Sequence, residues 1–127
     1  MPRTSAPVPT ARAGLGARAE TLAADYLARQ GLVVVARNFR TRRGEIDVIV
    51  RDRDTLVFVE VRKRSKDSYG GALASVTRAK QRRLIVAAQI FLQRYRMPPA
   101  CRFDVIGYDH DRMHWLKNAV EASPDAY

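Results

Sequence analysis

The sequence predicts a single α/β domain with the element order αβββαββ. Three observations carry this. Two stretches hold apolar residues at helical spacing, one ended by Gly31 and the other by Pro98-Pro99. Five short β-branched or alternating runs lie between and after them. Two of those runs, 45–50 and 56–62, are joined by a polar turn of hairpin length, so they pair antiparallel.

Residues 1–13 contain Pro2, Pro7 and Pro9 without an apolar period, and read as a disordered tail. Leu15, Ala19, Leu22, Ala23, Tyr26 and Leu27 form the stripe of the first helix. Leu32 to Val35 is the first strand, leading to Asn38, and Arg40 to Gly44 is a basic turn. In the second strand Ile46, Val48 and Val50 share one face, with Glu45, Asp47 and Ile49 on the other. Asp52 to Asp54 turns into the third strand, Leu56 to about Arg62. There Val57, Val59 and Val61 face one way, and Leu56, Phe58, Glu60 and Arg62 the other. A loop with Gly70-Gly71 precedes the second helix, which Ser75 or Thr77 could cap. Val76, Leu84, Ala87, Ala88, Phe91 and Tyr95 are its stripe. Phe103 to Tyr108 and Met113 to Lys117 are the last two strands. The domain therefore spans 14–117, and 118–127 reads as a C-terminal tail.

The chain has 127 residues, 46% apolar and 28% charged, which suits one globular domain. No apolar run approaches ~18 residues, so no membrane span is expected. Nor does the N-terminus carry the apolar core of a signal peptide. The single cysteine, Cys101, excludes a disulfide framework and a multi-cysteine zinc site. A reducing cytoplasm is the expected compartment. The net charge is +10, and residues 37–83 carry 14 Lys/Arg against 6 Asp/Glu. Arg37, Arg40, Arg42 and Arg43 form one cluster, Arg62, Lys63, Arg64 and Lys66 a second, Arg78, Lys80, Arg82 and Arg83 a third. Such clusters attract polyanions, which makes nucleic acid the expected partner.

Acidic residues run against this excess. Glu60 interrupts a Leu-Val-Phe-Val-Glu-Val run that looks central and buried on both faces. A buried carboxylate costs several kcal/mol unless a cation, metal or hydrogen bonds compensate. The hairpin arithmetic sets Asp47 opposite about Glu60. Two close carboxylates repel unless a cation or proton lies between them. Mg²⁺ typically takes one or two carboxylates plus phosphate oxygens. The spacing alone leaves two readings open, a metal site or an ion pair of Glu60 with Arg62. Glu20, at the edge of the first helix stripe, either reaches toward these acids or is solvated. Lys80, between Val76 and Leu84, either snorkels out or aims at an anion.

Gly44-Glu45-Ile46-Asp47-Val48-Ile49, followed by Val57-Phe58-Val59-Glu60-Val61-Arg62, resembles the YraN family of small bacterial proteins. Gly14, Ala17 and Glu20 at the front, Val76 to Lys80, and Cys101-Arg102-Phe103-Asp104-Val105 extend the resemblance over about residues 14–117. That family looks like a restriction-endonuclease-like, PD-(D/E)XK type nuclease and is similar to archaeal Holliday junction resolvases. The resemblance implies a mixed sheet flanked by helices. It implies Asp47 and Glu60 as ligands of Mg²⁺ or Mn²⁺, with Glu20 as the accessory acid. Ile46 replaces the motif proline, and Arg62 stands at the motif lysine. Arginine stays charged and cannot exchange a proton with attacking water, although it can stabilise phosphorane charge.

The expected function is metal-dependent phosphodiester hydrolysis on DNA, with branched DNA as the substrate implied by the resemblance. Asp47, Glu60, Arg62 and Lys80 are the expected catalytic residues. Arg40, Arg42, Arg43, Arg64, Arg82 and Arg83 would grip backbone phosphates. The alternatives are a non-catalytic nucleic-acid-binding module of the same fold, and a basic face that meets an acidic protein. Resolvase-like relatives are often dimers, which leaves a homodimer open. Asp109, His110, Asp111 and His114 read as a turn rather than a metal cluster, and Cys101 as packing rather than a nucleophile. Gly14 and Gly16 lack the preceding strand of a dinucleotide loop, and Gly70-Gly71 lacks a Walker lysine.

Overall fold

The computed structural model describes residues 11–63, 76–109 and 112–120, with side chains from residue 18 onward. Strands β1 (Val33–Arg40), β2 (Glu45–Asp52), β3 (Thr55–Lys63), β4 (Cys101–Asp109) and β5 (Arg112–Val120) form one sheet in that spatial order. Helix α1 (Ala11–Arg29) precedes it, and α2 (Arg78–Leu92) connects β3 to β4. Only β3 and β4 run parallel; the other neighbours are antiparallel. A parallel pair needs a long crossover, which α2 supplies. The order αβββαββ is the predicted one, and β3 is the central strand.

Strand β3 divides the core in two. Leu56 and Phe58 pack with Leu84, Ile85, Ala87, Ala88 and Phe91 of α2. Val57 and Val59 pack with Ala23, Ala24 and Leu27 of α1. The hairpin joining β2 to β3 has the predicted register, with Val48 opposite Val59 and Asp52 opposite Thr55. Its tip is Arg53-Asp54, and Arg53 takes φ 57°, as two-residue hairpins require. Thr77 caps α2, its hydroxyl accepting from the Lys80 amide at 3.2 Å.

Several boundaries differ from the prediction. Helix α1 begins at Ala11, inside the predicted tail, because Ala11-Arg12-Ala13 are good helix formers once Pro9 is passed. Leu22 lies outside the core, 47% exposed. Strand β1 continues through Arg40, so the basic turn shortens to 41–44. Val33, Val34 and Val35 are exposed because β1 is an edge strand. Helix α2 stops at Leu92, before the prolines. Amides of Gln93, Arg94 and Tyr95 bond three residues back, the tightening that closes a last turn. Tyr95 therefore packs on Phe91 from beyond the helix. Strand β5 reaches Val120, which is buried opposite Phe103 and takes 118–120 out of the predicted tail. The Gly70-Gly71 loop, Ser75, Arg64, His110, Asp111 and residues 121–127 lie outside the described residues.

Gly44 shows how closely α2 sits on the β1–β2 turn. A Cβ there would lie 2.1 Å from the Arg83 carbonyl oxygen and 2.8 Å from its carbon. Both are backbone atoms and cannot swing aside. Gly44→Ala is expected to destabilise the fold by about 1–3 kcal/mol, the range for forced overpacking. Urea denaturation would measure it, and an unchanged midpoint would show that α2 shifts freely.

Candidate active site

Strand β1 sets the geometry before any acid is considered. Its apolar contacts to the α2-side core come from Ala36 and Phe39, three residues apart. Those residues pair with Ile49 and Ile46 of β2, also three apart and also in that core. A regular strand keeps residues two apart on one face. Both strands therefore switch faces together between these pairs. Asn38 lies inside the switch with φ 52°, a left-handed conformation that asparagine tolerates better than most residues. Ile46 consequently packs with Ile49, not with Val48 and Val50 as strict alternation predicts.

Asp47 stands at the centre of the switch. The β2–β3 ladder has its last described pair at Val48 and Val59. Beyond it, the Asp47 carboxylate takes over, with Oδ2 accepting from the Val61 amide at 2.8 Å. Glu60 on β3 and Glu20 on α1 both lie near enough to Asp47 for that carboxylate to raise them. The hairpin arithmetic thus brought Asp47 and Glu60 together, and α1 brings Glu20 to the same carboxylate.

Burial and then Asp47 push Glu60 up to about 8, while Arg62 and Lys80 pull it down by less. Burial and then Asp47 raise Glu20 to about 7, opposed by Arg37. Arg62 does pair with Glu60, Nη1 to Oε2 at 3.5 Å. The expected ion pair is therefore present, and it offsets part of the rise that burial and Asp47 cause at Glu60. Lys80 is half-buried and lines the same cavity as Glu60, whose pKa its charge lowers.

A cavity of about 270 Å³ opens on the α2 side of the sheet. Thr41, Arg42, Gly44, Glu45, Glu60, Arg62, Lys80 and Arg83 line it. Glu60 is the acid that the cavity shares with the Asp47 cluster; Asp47 and Glu20 lie outside its wall. The Thr41 hydroxyl holds the rim, accepting from the amides of Arg43 and Gly44 and donating to the Gly44 carbonyl. Arg40 and Arg43 flank the rim, and Arg82 is exposed on α2. Arg40 also lies 3.9 Å from Glu45. Sequence reasoning missed Thr41, Glu45, Asn38 and the close approach at Gly44. Only the Arg-Asn-Phe-Arg interruption of an apolar strand hinted at the switch of faces shared by β1 and β2.

The donor set fits a hard divalent cation in one respect. Two carboxyl groups around Asp47 take up protons at near-neutral pH, and a cation would replace those protons. Among the described residues, no group of three or more His, Cys, Asp or Glu side chains is posed to hold an ion unaided. One or two carboxylates completed by water and phosphate oxygens is the usual arrangement for Mg²⁺.

Asp104 provides the contrast. It is fully buried on β4, yet Arg102 Nε, Trp115 Nε1 and the Asn118 amide all donate to it. A structural buried carboxylate is satisfied in this way. The cluster at Asp47 instead sets acids against one another.

The raised acids predict a pH dependence. Between 4.5 and about 8, folded Glu60 holds a proton that the unfolded chain has released. Native protein then binds more protons than unfolded protein, so stability falls as pH rises through that window. Glu20 adds to the fall up to about 7. Thermal unfolding in chelator from pH 5 to 9 should show it, and Glu60→Gln should flatten the slope. Equal slopes in the two proteins would contradict the shift.

Fold and site together define a small mixed α/β domain that gathers three acids beside a basic cavity. Residues 19–108 match the family described as Uncharacterised protein family UPF0102. A UPF0102 protein of Herminiimonas arsenicoxydans is 62% identical over 113 residues, covering 89% of this chain and 91% of the relative. One from Janthinobacterium sp. strain Marseille is 58% identical, covering 89% and 92%. One from Alkalilimnicola ehrlichii is 51% identical over 122 residues, covering 94% and 95%. The chain belongs to the UPF0102 family, also known as YraN. Among the described residues, no helix is long and apolar enough to cross a membrane.

Proposed function

We propose that this protein is a metal-dependent nuclease of restriction-endonuclease-like type that hydrolyses phosphodiesters in DNA. One observation carries the reading: Asp47 lies with Glu20 and Glu60, which burial and then Asp47 raise to about 7 and about 8, beside a cavity to which Arg42, Arg62, Lys80 and Arg83 contribute. Asp47 and Glu60 would hold Mg²⁺ or Mn²⁺, with Glu20 as accessory ligand. When bound, the metal supplies an activated water and stabilises charge on the leaving oxygen. Arg62 and Lys80 face the cavity beside Glu60 and offset charge on the phosphate. Arg42 and Arg83 hold flanking phosphates at the rim, with Arg40, Arg43 and Arg82 extending the basic surface. Arg64 lies outside the described residues and joins them by sequence alone. These contacts position a backbone without reading its sequence. Branched DNA is the substrate class suggested by the likeness to resolvases, and the cytoplasm the compartment suggested by the lone cysteine.

The test is cleavage of branched, single-stranded and duplex DNA with Mn²⁺, by wild type, Asp47→Ala and Glu60→Ala. Cutting by wild type and binding without cutting by both variants supports the enzyme. Failure to cut any substrate would refute it. That failure, with salt-sensitive DNA binding retained, would favour the non-catalytic module. Arg62 at the lysine position is the observation on that side.

A further inference from the structure

We infer that Asn38 is a positioning residue for the acidic cluster, acting through its backbone. Resting on the reading of Asp47 as a metal ligand, this adds a residue of the neighbouring strand β1 that touches neither metal nor phosphate. Asn38 holds φ 52° in the middle of an edge strand. On either side of it, Ala36 and Phe39 enter the same core, three residues apart. Their partners Ile49 and Ile46 repeat that spacing on β2. The register between the strands keeps equal counts here, since Arg37 pairs with Val48 and Phe39 with Ile46. No residue is inserted in either strand between those pairs. The left-handed residue turns the strand, and β2 follows it.

Asp47 is the β2 residue at the turn. In a regular ladder it would face Glu60 as an ordinary pair, and Val61 would keep a backbone environment. Instead the Asp47 carboxylate accepts from the Val61 amide at 2.8 Å. That bond fixes one oxygen of a carboxyl that also acts on Glu20 and Glu60. Asn38 is exposed, so its side chain has no packing duty in the core. The requirement falls on its φ, which glycine meets and β-branched residues oppose.

The experiment compares Asn38→Gly, Asn38→Ala and Asn38→Val by amide hydrogen exchange and by Mn²⁺ titration. Exchange needs no metal. The Val61 amide should exchange at least about tenfold faster in the Ala and Val variants, with the Val57 amide unchanged. Mn²⁺ affinity should fall about tenfold or more, the usual cost of disturbing the support of a ligand. Asn38→Gly should match wild type in both. If Asn38→Val does not fold, Asn38→Ala decides alone. Unchanged Val61 exchange would overturn the inference, as would a glycine variant as damaged as alanine. A uniform rise at Val57 and Val61 would mean general loosening and overturn it too. If wild type binds no Mn²⁺ while Val61 exchange responds as stated, the positioning role stands and the metal reading falls.

Discussion

On the proposed nuclease reading, Asp47→Asn is expected to abolish metal-dependent cleavage, by at least about a thousandfold, while leaving the fold intact. Loss of a metal's several kcal/mol of transition-state stabilisation gives that scale. Asparagine is the informative replacement because Asp47 has two duties. Its Oδ2 accepts from Val61 N, and its charge drives Glu20 and Glu60 upward. Alanine would lose both, and an orphaned buried amide costs about 1–3 kcal/mol. The amide oxygen of asparagine keeps the first duty and drops the second. Glu60 and Glu20 should then titrate nearer 4.5, so the metal-free protein becomes more stable at pH 8, not less. DNA binding should persist, because ionisation of Glu20 and Glu60 replaces the charge that Asp47 loses. Single-turnover cleavage, thermal unfolding and DNA titration test the three parts. Residual cutting above about a tenth of wild type would remove Asp47 from the site.

Much of this arrangement was legible because hairpins are local. A short polar turn after β2 fixes the register, and the register places Asp47 against Glu60. The alternation of β3 was equally plain, since each face of a central strand must be apolar. Glu60 and Lys80 stood out as charges in apolar rows. Other features depend on contacts between distant elements. Nothing in the sequence of α1 distinguishes a Glu20 that meets Asp47 from one in solvent; the packing of Ala23 and Leu27 on β2 and β3 decides it. That Glu60 meets Arg62 at 3.5 Å and Asp47 as well is a matter of side-chain placement that spacing cannot supply. The strand switch was invisible because Asn38 and Asp47 are each ordinary as residue types. Only their pairing, and the shared faces of Ile46 and Ile49, reveal the kink. Gly44 was quoted within a motif without its physical cause, which is the Arg83 carbonyl of a helix 39 positions later.

Asp104→Ala is expected to cost about 3–5 kcal/mol, the scale for breaking a buried charged pair from one side. The loss is large because three donors lose one acceptor. Arg102 Nε lies 3.0 Å from one carboxylate oxygen and Trp115 Nε1 2.9 Å from the other. The Asn118 amide donates at 2.8 Å, and Asn118 itself holds φ 54° where the β4–β5 register slips. Arg102 keeps Asp52 at 3.1 Å, so its charge is partly held after the substitution. Trp115 Nε1 and the Asn118 amide lose the acceptor they share and carry the rest. Asp104→Asn retains an accepting oxygen but turns an amide group toward a donor, and should lie between. Urea denaturation gives the cost, and a cycle with Trp115→Phe should be non-additive. A cost under about 1 kcal/mol would mean that water replaces the carboxylate. In the parallel ladder Asp104 pairs with Val59, the residue before Glu60. Loosening β4 there should weaken Mn²⁺ binding only in proportion to unfolding, whereas Asp47→Asn removes binding from a folded protein. The two acids have opposite surroundings: hydrogen-bond donors satisfy Asp104, whereas further acids crowd Asp47.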